Sequence, residues 1–311
     1  MNPFVSWNPF RPLFQWYYVR IMDRYVGRQL EIRFEAHQDR LDSVGSKDGG
    51  YQTVADLALD RYLEEQSMSN ATRSMDAEFK KFAISQMKVF ILAGHDTTSS
   101  TLCYIFHSLS RNHLALQRVR TEHDEVFGSD LTQASANIME NPQSLNRLPF
   151  TLAVIKETLR LFPVASSTRD GEPGFHLTQD GHHYPTEGFT VWCTHQAMHR
   201  EPIYWLQPDS FVPERWLVAE DDALHPVKGA WRPFEFGPRN CIGQELALLE
   251  LKLVMVMTLR EFNITASYDM EDQDRRGEKP RTVNGERAYP VLKGTTRPVE
   301  GFPCRVTAAA G

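Results

Sequence analysis

The chain has 311 residues, 41% of them hydrophobic, 11% aromatic and 24% charged, with a formal net charge of -6 at pH 7. This is the composition of a soluble globular protein with a sizeable core, and it excludes a disordered tail. Basic residues do not cluster beside exposed-looking aromatics, which excludes a nucleic-acid binder.

The N-terminal stretch MNPFVSWNPFRPLFQWYYVR is broken by Pro3, Pro9, Arg11 and Pro12. It therefore offers neither a secretory apolar region nor the ~20 apolar residues of a membrane span. Apolar residues then recur near helical period at Tyr18, Ile21, Met22, Tyr25, Val26, Leu30 and Phe34, predicting a helix, and DSVGSKDGG (Asp42 to Gly50) predicts a surface loop. A short helix is expected from Thr53 to about Gln66, and a much longer one from about Asp76 to Arg111, roughly 54 Å at 1.5 Å per residue. Two more follow, His113 to Phe127 closed by Gly128, and Pro149 to Phe162 with Pro at the first position and Pro163 beyond the end. GFHLT, FTVWCTH, FNITASY and GFPCRVT have strand composition between Pro and Gly. A last long helix is expected from Ile242 to about Phe262, and the charged run Met270 to Glu286 as an exposed loop. The fold class is mainly α with a small β component, an α+β pattern in which helices carry the core.

The four cysteines, Cys103, Cys193, Cys241 and Cys304, are widely spaced and form no C-x-x-C pair. Neither a disulfide framework nor a zinc site is indicated, and a reducing compartment fits. Cys241 stands out in FEFGPRNCIGQELALLE, between a Pro-Arg-Asn turn and a glycine that opens an apolar helix. A thiol just before a helix feels the helix's positive end, which favours the thiolate. Such a thiolate serves as a nucleophile when a base is near, or as a metal ligand. No His or Asp is placed by motif to activate it, which disfavours a cysteine hydrolase. Gly237 and Gly243 allow tight bending and close approach to something flat and large. Arg239 would reach a carboxylate on that object, and Phe234 could pack beside the sulfur.

The pattern F-x-x-G-x-R-x-C-x-G, carried by Phe234, Gly237, Arg239, Cys241 and Gly243, resembles the haem-binding signature of the cytochromes P-450. The bland alternative is a buried cysteine near a glycine turn. Three further segments bear on the choice. The polar centre GHDTTSST (Gly94 to Thr101) interrupts the apolar run of the long helix. Either the helix ends at Gly94 and a new one is capped by Asp96 or Thr97, or a local bulge turns these groups toward a cavity. A-G-H-D-T-T looks like the family's oxygen-activation segment, which implies that Thr97 orders dioxygen and water and that Asp96 helps relay protons. In KETLR, Glu157 and Arg160 stand at i and i+3, an exposed pair of little worth or a buried one needing a third partner. With Arg215 of FVPERW they resemble the family's structural triad. LFPVASSTRDG resembles the segment lining the substrate cavity, which implies substrate contacts at Val164, Ala165 and Ser166. Arg169 is then either a propionate partner or a surface arginine, and His199 is expected to pack only.

The resemblance divides residues 1–311, a partial domain, as follows. Residues 1–40 precede the oxygen-activation helix at 76–111, and the E-x-x-R helix spans 149–162. The haem-binding loop spans 234–243 and the final long helix 242–262. It implies a monomeric haem-thiolate monooxygenase carrying haem b. Electrons would come from an NADPH-cytochrome P-450 reductase docking near Lys228, Arg232 and Arg239, and the substrate would be a small lipophilic compound of fungal secondary metabolism. Family members are held at the cytosolic face of the endoplasmic reticulum membrane, whereas this chain shows no anchor and fits a cytoplasmic place equally. On the resemblance the chain starts after the family's anchor and early elements, so the alternative is a truncated, catalytically inactive remnant.

Overall fold

The computed structural model describes residues 10–42, 53–67, 75–268 and 281–309. In chain order it forms helices α1 (Arg11–Asp42), α2 (Val54–Ser67), α3 (Ala77–Arg111), α4 (His113–Phe127), α5 (Ala134–Glu140) and α6 (Pro149–Leu161). Strands β1 (Ser167–Asp170), β2 (His176–Gln179), β3 (His182–Pro185) and β4 (Thr190–Cys193) follow, then the short α7 (His195–Met198) and α8 (Gln244–Thr258). The chain closes with β5 (Phe262–Ala266), β6 (Pro290–Lys293), β7 (Thr295–Pro298) and β8 (Cys304–Ala308). The strands pair antiparallel in twos, β1 with β4, β2 with β3, β5 with β8 and β6 with β7. Helices thus carry the mass of an α+β fold.

Two compact units divide within α3, one up to Ala93 and one from Gly94 onward. In the first, Leu30 and Phe34 of α1, Leu59 and Tyr62 of α2 and Ala83 of α3 form a buried cluster. Tyr62 stacks on Phe79 at 3.9 Å, and its hydroxyl accepts from the Asp76 amide at 2.9 Å. Gly27 lets α1 lie close to α3, because a Cβ there would sit 3.2 Å from Ile84 Cδ1.

In the second unit the core is built by α3, α4, α6 and α8. Tyr104, Ile105 and Leu109 meet Val119, then Val154, Ile155 and Leu159, then Leu251 and Met255. Tyr104 stacks on Phe162 with centroids 4.3 Å apart. Helix α6 begins at Pro149, where the missing N–H costs nothing. The next two amides, of Phe150 and Thr151, donate to the Glu122 carboxylate of α4 at 2.7 and 2.8 Å. A neighbouring helix therefore supplies the cap.

The helix expected to continue to Phe262 stops at Thr258. Phe262 instead opens β5 opposite Ala308, and Arg120 fixes the switch by donating to the carbonyls of Leu259 and Phe262 and to Asn263 Oδ1. Of the expected loops, 43–50 and 270–280 lie outside the described residues, and Asp42 is the last residue of α1.

Buried neutral histidines make the second unit sensitive to acid. His123 is fully buried, and its Nε2 lies 2.9 Å from Thr151 Oγ1, whose own proton goes to Glu122. Nε2 must then be the donor, and Nδ1 is buried without a partner. Burial, reinforced by the Arg260 charge, lowers the His123 pKa from 6.5 to about 3. His199, lowered mainly by burial with His195 and Arg160 nearby, also stands at about 3. Both folded values lie below the unfolded one, so this stability is present above pH 6.5 and drains away as pH falls toward 3. Urea midpoints measured across that window should decline with acid, and His123→Gln should flatten the decline. Parallel profiles for the two proteins would refute the assignment.

Candidate functional site

The site is organised by the loop from Phe234 to Gly243. Phe234 packs on the main core, with Trp231 at 6.0 Å, and Trp231 Nε1 donates to the Lys156 carbonyl of α6. From this fixed point Gly237 turns the backbone left-handed at φ +78, which a side chain would resist. Gly237–Arg239 then make one 3-10 turn. The Cys241 amide closes the loop by donating to the Phe234 carbonyl at 2.7 Å, and the Cys241 carbonyl accepts from Gln244 as α8 starts. Gly243, the residue before α8, has no side chain to cap the first amides. A Cβ at that position would lie 3.9 Å from Cys241 Sγ, in contact with the sulfur.

Cys241 is exposed, as are Phe236 and Arg239 on the same loop. Arg239 makes no hydrogen bond or ion pair among the described residues. Ile242, Leu246, Leu249, Leu253 and Met257, spaced at helical period, continue an exposed apolar stripe along α8 from the thiol. These residues fit haem. A sulfur donor stands beside an unpartnered guanidinium suited to a propionate, next to apolar surface suited to a flat ring.

Next in sequence to Lys156, whose carbonyl takes the Trp231 indole, Glu157 centres a fully buried ion cluster. Glu157 of α6 accepts from Arg160 Nε and Nη2 at 3.0 and 2.8 Å, from Arg215 Nε at 3.1 Å, from the Val212 amide at 2.9 Å and from Trp216 Nε1 at 3.1 Å. All three charged side chains have zero exposure. The remaining Arg160 protons go to the carbonyls of His199, Pro208 and Ser210, so each of its N–H donors has an acceptor. Arg215 donates to the carbonyls of Leu206 and Gln207, and both guanidiniums lie over the Trp205 ring. Burial pulls the Arg215 pKa below its usual value, with Glu157 acting against it. Of the two sequence alternatives for this pair, the geometry is the buried one.

The segment Gly94 to Thr101 lies within uninterrupted α-helix, neither ended at Gly94 nor bulged. Its hydroxyls turn inward along the helix, Thr101 Oγ1 donating to the Thr97 carbonyl at 2.8 Å and Ser99 Oγ to that of Asp96 at 3.2 Å. Thr97 is half-buried, and the neighbouring Thr98 Oγ1 is buried without a partner. The Asp96 carboxylate is held by Thr295 Oγ1 and by Arg297 Nη2 at 3.2 Å, both of β7. His95 is exposed.

Val164 is buried in the main core, and its carbonyl accepts from the Thr296 amide. Ala165 and Ser166 are exposed, with Ser166 Oγ accepting from Trp192 Nε1 at 2.7 Å. Arg169 is exposed and donates to its neighbour's carbonyl, that of Thr168. Arg232, expected among the docking cations, is engaged instead, donating through Nη2 to Glu235 at 2.6 Å. Lys228 is exposed. His199 is fully buried, accepts from the Arg232 amide at 2.9 Å, and lies parallel to His195. The cluster of Glu235, Ser167, His195 and Arg232 has no sequence signal, since its members come from three separate segments. Among the described residues no helix is long and apolar enough to cross a membrane.

The family model for Cytochrome P450 matches residues 4–289. Cytochrome P450 monooxygenase polC of Polytolypa hystricis is 43% identical over 311 residues, covering 99% of this chain and 54% of that protein. Cytochrome P450 monooxygenase acrF of Aspergillus aculeatus is 33% identical over 322 residues, 96% of this chain and 62% of its own. Cytochrome P450 4X1 of Rattus norvegicus is 35% identical over 185 residues, 58% of this chain and 34% of its own. The chain thus spans between half and two thirds of the length of the first two relatives.

Proposed function

The chain belongs to the cytochrome P450 family, and from that premise we propose that it acts as a haem-thiolate monooxygenase with Cys241 as the axial ligand. The observation that carries this reading is an exposed thiol at the mouth of α8, two residues from an unengaged Arg239 and at the head of an apolar stripe. Haem, when bound, supplies the oxygen activation and the oxidation of substrate.

The chain's own residues divide the remaining work. Cys241 would hold the iron, its sulfur supplying electron density to the haem. Gly243 keeps the space beside the sulfur free of side-chain atoms, and Arg239 receives a propionate. Arg169, less well placed because it spends a donor on Thr168, is the second propionate candidate. Phe234 fixes the loop to the core. Thr97 would hold a proton at Oγ1, the role its place in the polar turn of α3 suggests. Asp96 is tied to Thr295 and Arg297, so its part in that delivery is to hold this turn of α3 against β7. Ala165 and Ser166 face outward and are the better substrate contacts of the three expected, while Val164 supports them from the core. Glu157, Arg160 and Arg215 brace the frame.

Two relatives matched over nearly all of this chain are fungal, which supports a lipophilic substrate of fungal secondary metabolism. With Arg239 given to a propionate and Arg232 engaged by Glu235, Lys228 remains of the three expected cations for docking a flavoprotein reductase, and an endoplasmic reticulum location would follow from the family. The test is the visible spectrum of haem-loaded protein after reduction and carbon monoxide addition. A strongly red-shifted Soret band is expected, and a band at the position given by a neutral ligand would overturn the reading.

A further inference from the structure

Glu235 stands between Phe234 and Phe236, at the root of the cysteine loop, with a left-handed backbone at φ +63. A glycine would adopt that conformation freely, whereas a glutamate there is strained. The carboxylate explains the choice. Its Oε1 accepts from Ser167 Oγ of β1 and lies 3.2 Å from His195 Nε2 of α7. Its Oε2 accepts from Arg232 Nη2 at 2.6 Å and from the Phe236 amide at 3.2 Å. The side chain is only 9% exposed. Burial alone would raise its pKa, but the hydrogen bonds from Ser167 and Arg232 and the nearby positive charge outweigh it and hold the group at about 2. It is an anion at every working pH.

The tether reaches far in sequence. Ser167 and His195 lie 68 and 40 residues upstream of Glu235, and His195 is itself anchored through Nδ1 to the Ala165 carbonyl at 3.1 Å. Each His195 nitrogen faces an oxygen, the Ala165 carbonyl at Nδ1 and the Glu235 carboxylate at Nε2. Beyond Glu235 the loop makes only local bonds among the described residues. Asn240 donates to Gly237, Cys241 to Phe234 and Gln244 to Cys241, while Phe236, Arg239, Cys241 and Ile242 are exposed. Glu235 is therefore the last side chain that fastens the loop to β1 and α7 before the sulfur.

We propose that Glu235 is a positioning residue for Cys241, its carboxylate clamping the cysteine loop to β1 and α7 and so fixing where the sulfur stands. The functional importance of this clamp rests on Cys241 being the haem ligand, but the clamp itself does not. None of the positions in the F-x-x-G-x-R-x-C-x-G pattern performs this task, because Gly237, Arg239 and Cys241 have no partner outside the segment among the described residues.

The test uses the full chain without haem, reading amide hydrogen exchange over residues 236–243 in the parent and in Glu235→Ala, Glu235→Gln and Ser167→Ala. Glu235→Ala should speed exchange of the Cys241 and Asn240 amides at least tenfold, with amides in α4 and α6 unchanged. Glu235→Gln, which keeps one acceptor oxygen but turns the other into a donor and loses the charge, should recover only part of the protection. Unchanged exchange in the loop, or equal acceleration throughout the second unit, would overturn the proposal. Should Glu235→Ala fail to fold, Ser167→Ala carries the decision by removing one tether from outside the loop. About threefold faster loop exchange is expected, and no change overturns the clamp. Haem-loaded samples separate the two readings. If the parent gives no thiolate spectrum while the exchange pattern responds as expected, the ligand assignment falls and the clamp stands. If the parent spectrum is of the thiolate type and Glu235→Ala converts part of it to the neutral-ligand type, which Glu235→Gln restores, both stand.

Discussion

Glu157→Ala is expected to abolish the native fold of the second unit under ordinary expression conditions, or to lower its melting temperature by roughly 6–20 °C where some protein survives. The side chain has zero exposure and takes hydrogen bonds from two guanidiniums, an amide and an indole. Truncating it leaves Arg160 and Arg215 buried side by side with no anion, and breaking such a pair costs about 3–5 kcal/mol. That is a large share of the 5–15 kcal/mol by which a domain typically holds together, roughly speaking. Glutamine is not a conservative exchange here, because its amide would point two protons at groups that are already donors. Thermal melts and haem content of purified variants check this. A soluble Glu157→Ala protein with an unshifted melt would show that the cluster contributes nothing to stability.

Cys241→Ala is expected to do the opposite, removing the thiolate-type spectrum completely while leaving the melt almost unchanged. The thiol is exposed, so its loss opens no cavity. Cys103→Ala, Cys193→Ala and Cys304→Ala should keep the spectrum. Cys103 is half-buried, and its pKa is raised by burial and by the neighbouring Cys304, which makes it a poor anion. Absorption after reduction and carbon monoxide addition, measured on all four variants, checks the prediction. A red-shifted Soret band persisting in Cys241→Ala would reassign the ligand.

Local punctuation made much of this fold legible. Pro149 and Pro163 bracket α6, Gly128 closes α4, and apolar periodicity carries α3 and α8. The left-handed turn at Gly237 follows from glycine in the loop pattern. What stayed hidden depends on distant partners. Nothing near Phe262 announces that it will pair with Ala308 rather than extend a helix, and the β6–β7 ribbon has no alternating pattern. The polar centre of α3 looked like an interruption because its satisfaction comes from the helix's own carbonyls and from Thr295 and Arg297, 199 and 201 residues after Asp96. The Glu235 cluster was hidden for the same reason, and glutamate with left-handed backbone is an unlikely guess from a single sequence.

The cap that α4 lends to α6 changes how the centre of the second unit must assemble. Thirteen residues are too few for a helix to persist by itself in water, and the first free amides of α6 find their acceptor only on Glu122, 28 residues earlier. Helix α6 therefore owes its order to docking on α4 rather than to its own propensity. Glu157 and Arg160 ride on α6, so the buried ion cluster depends on a carboxylate of another helix that none of its own members touches.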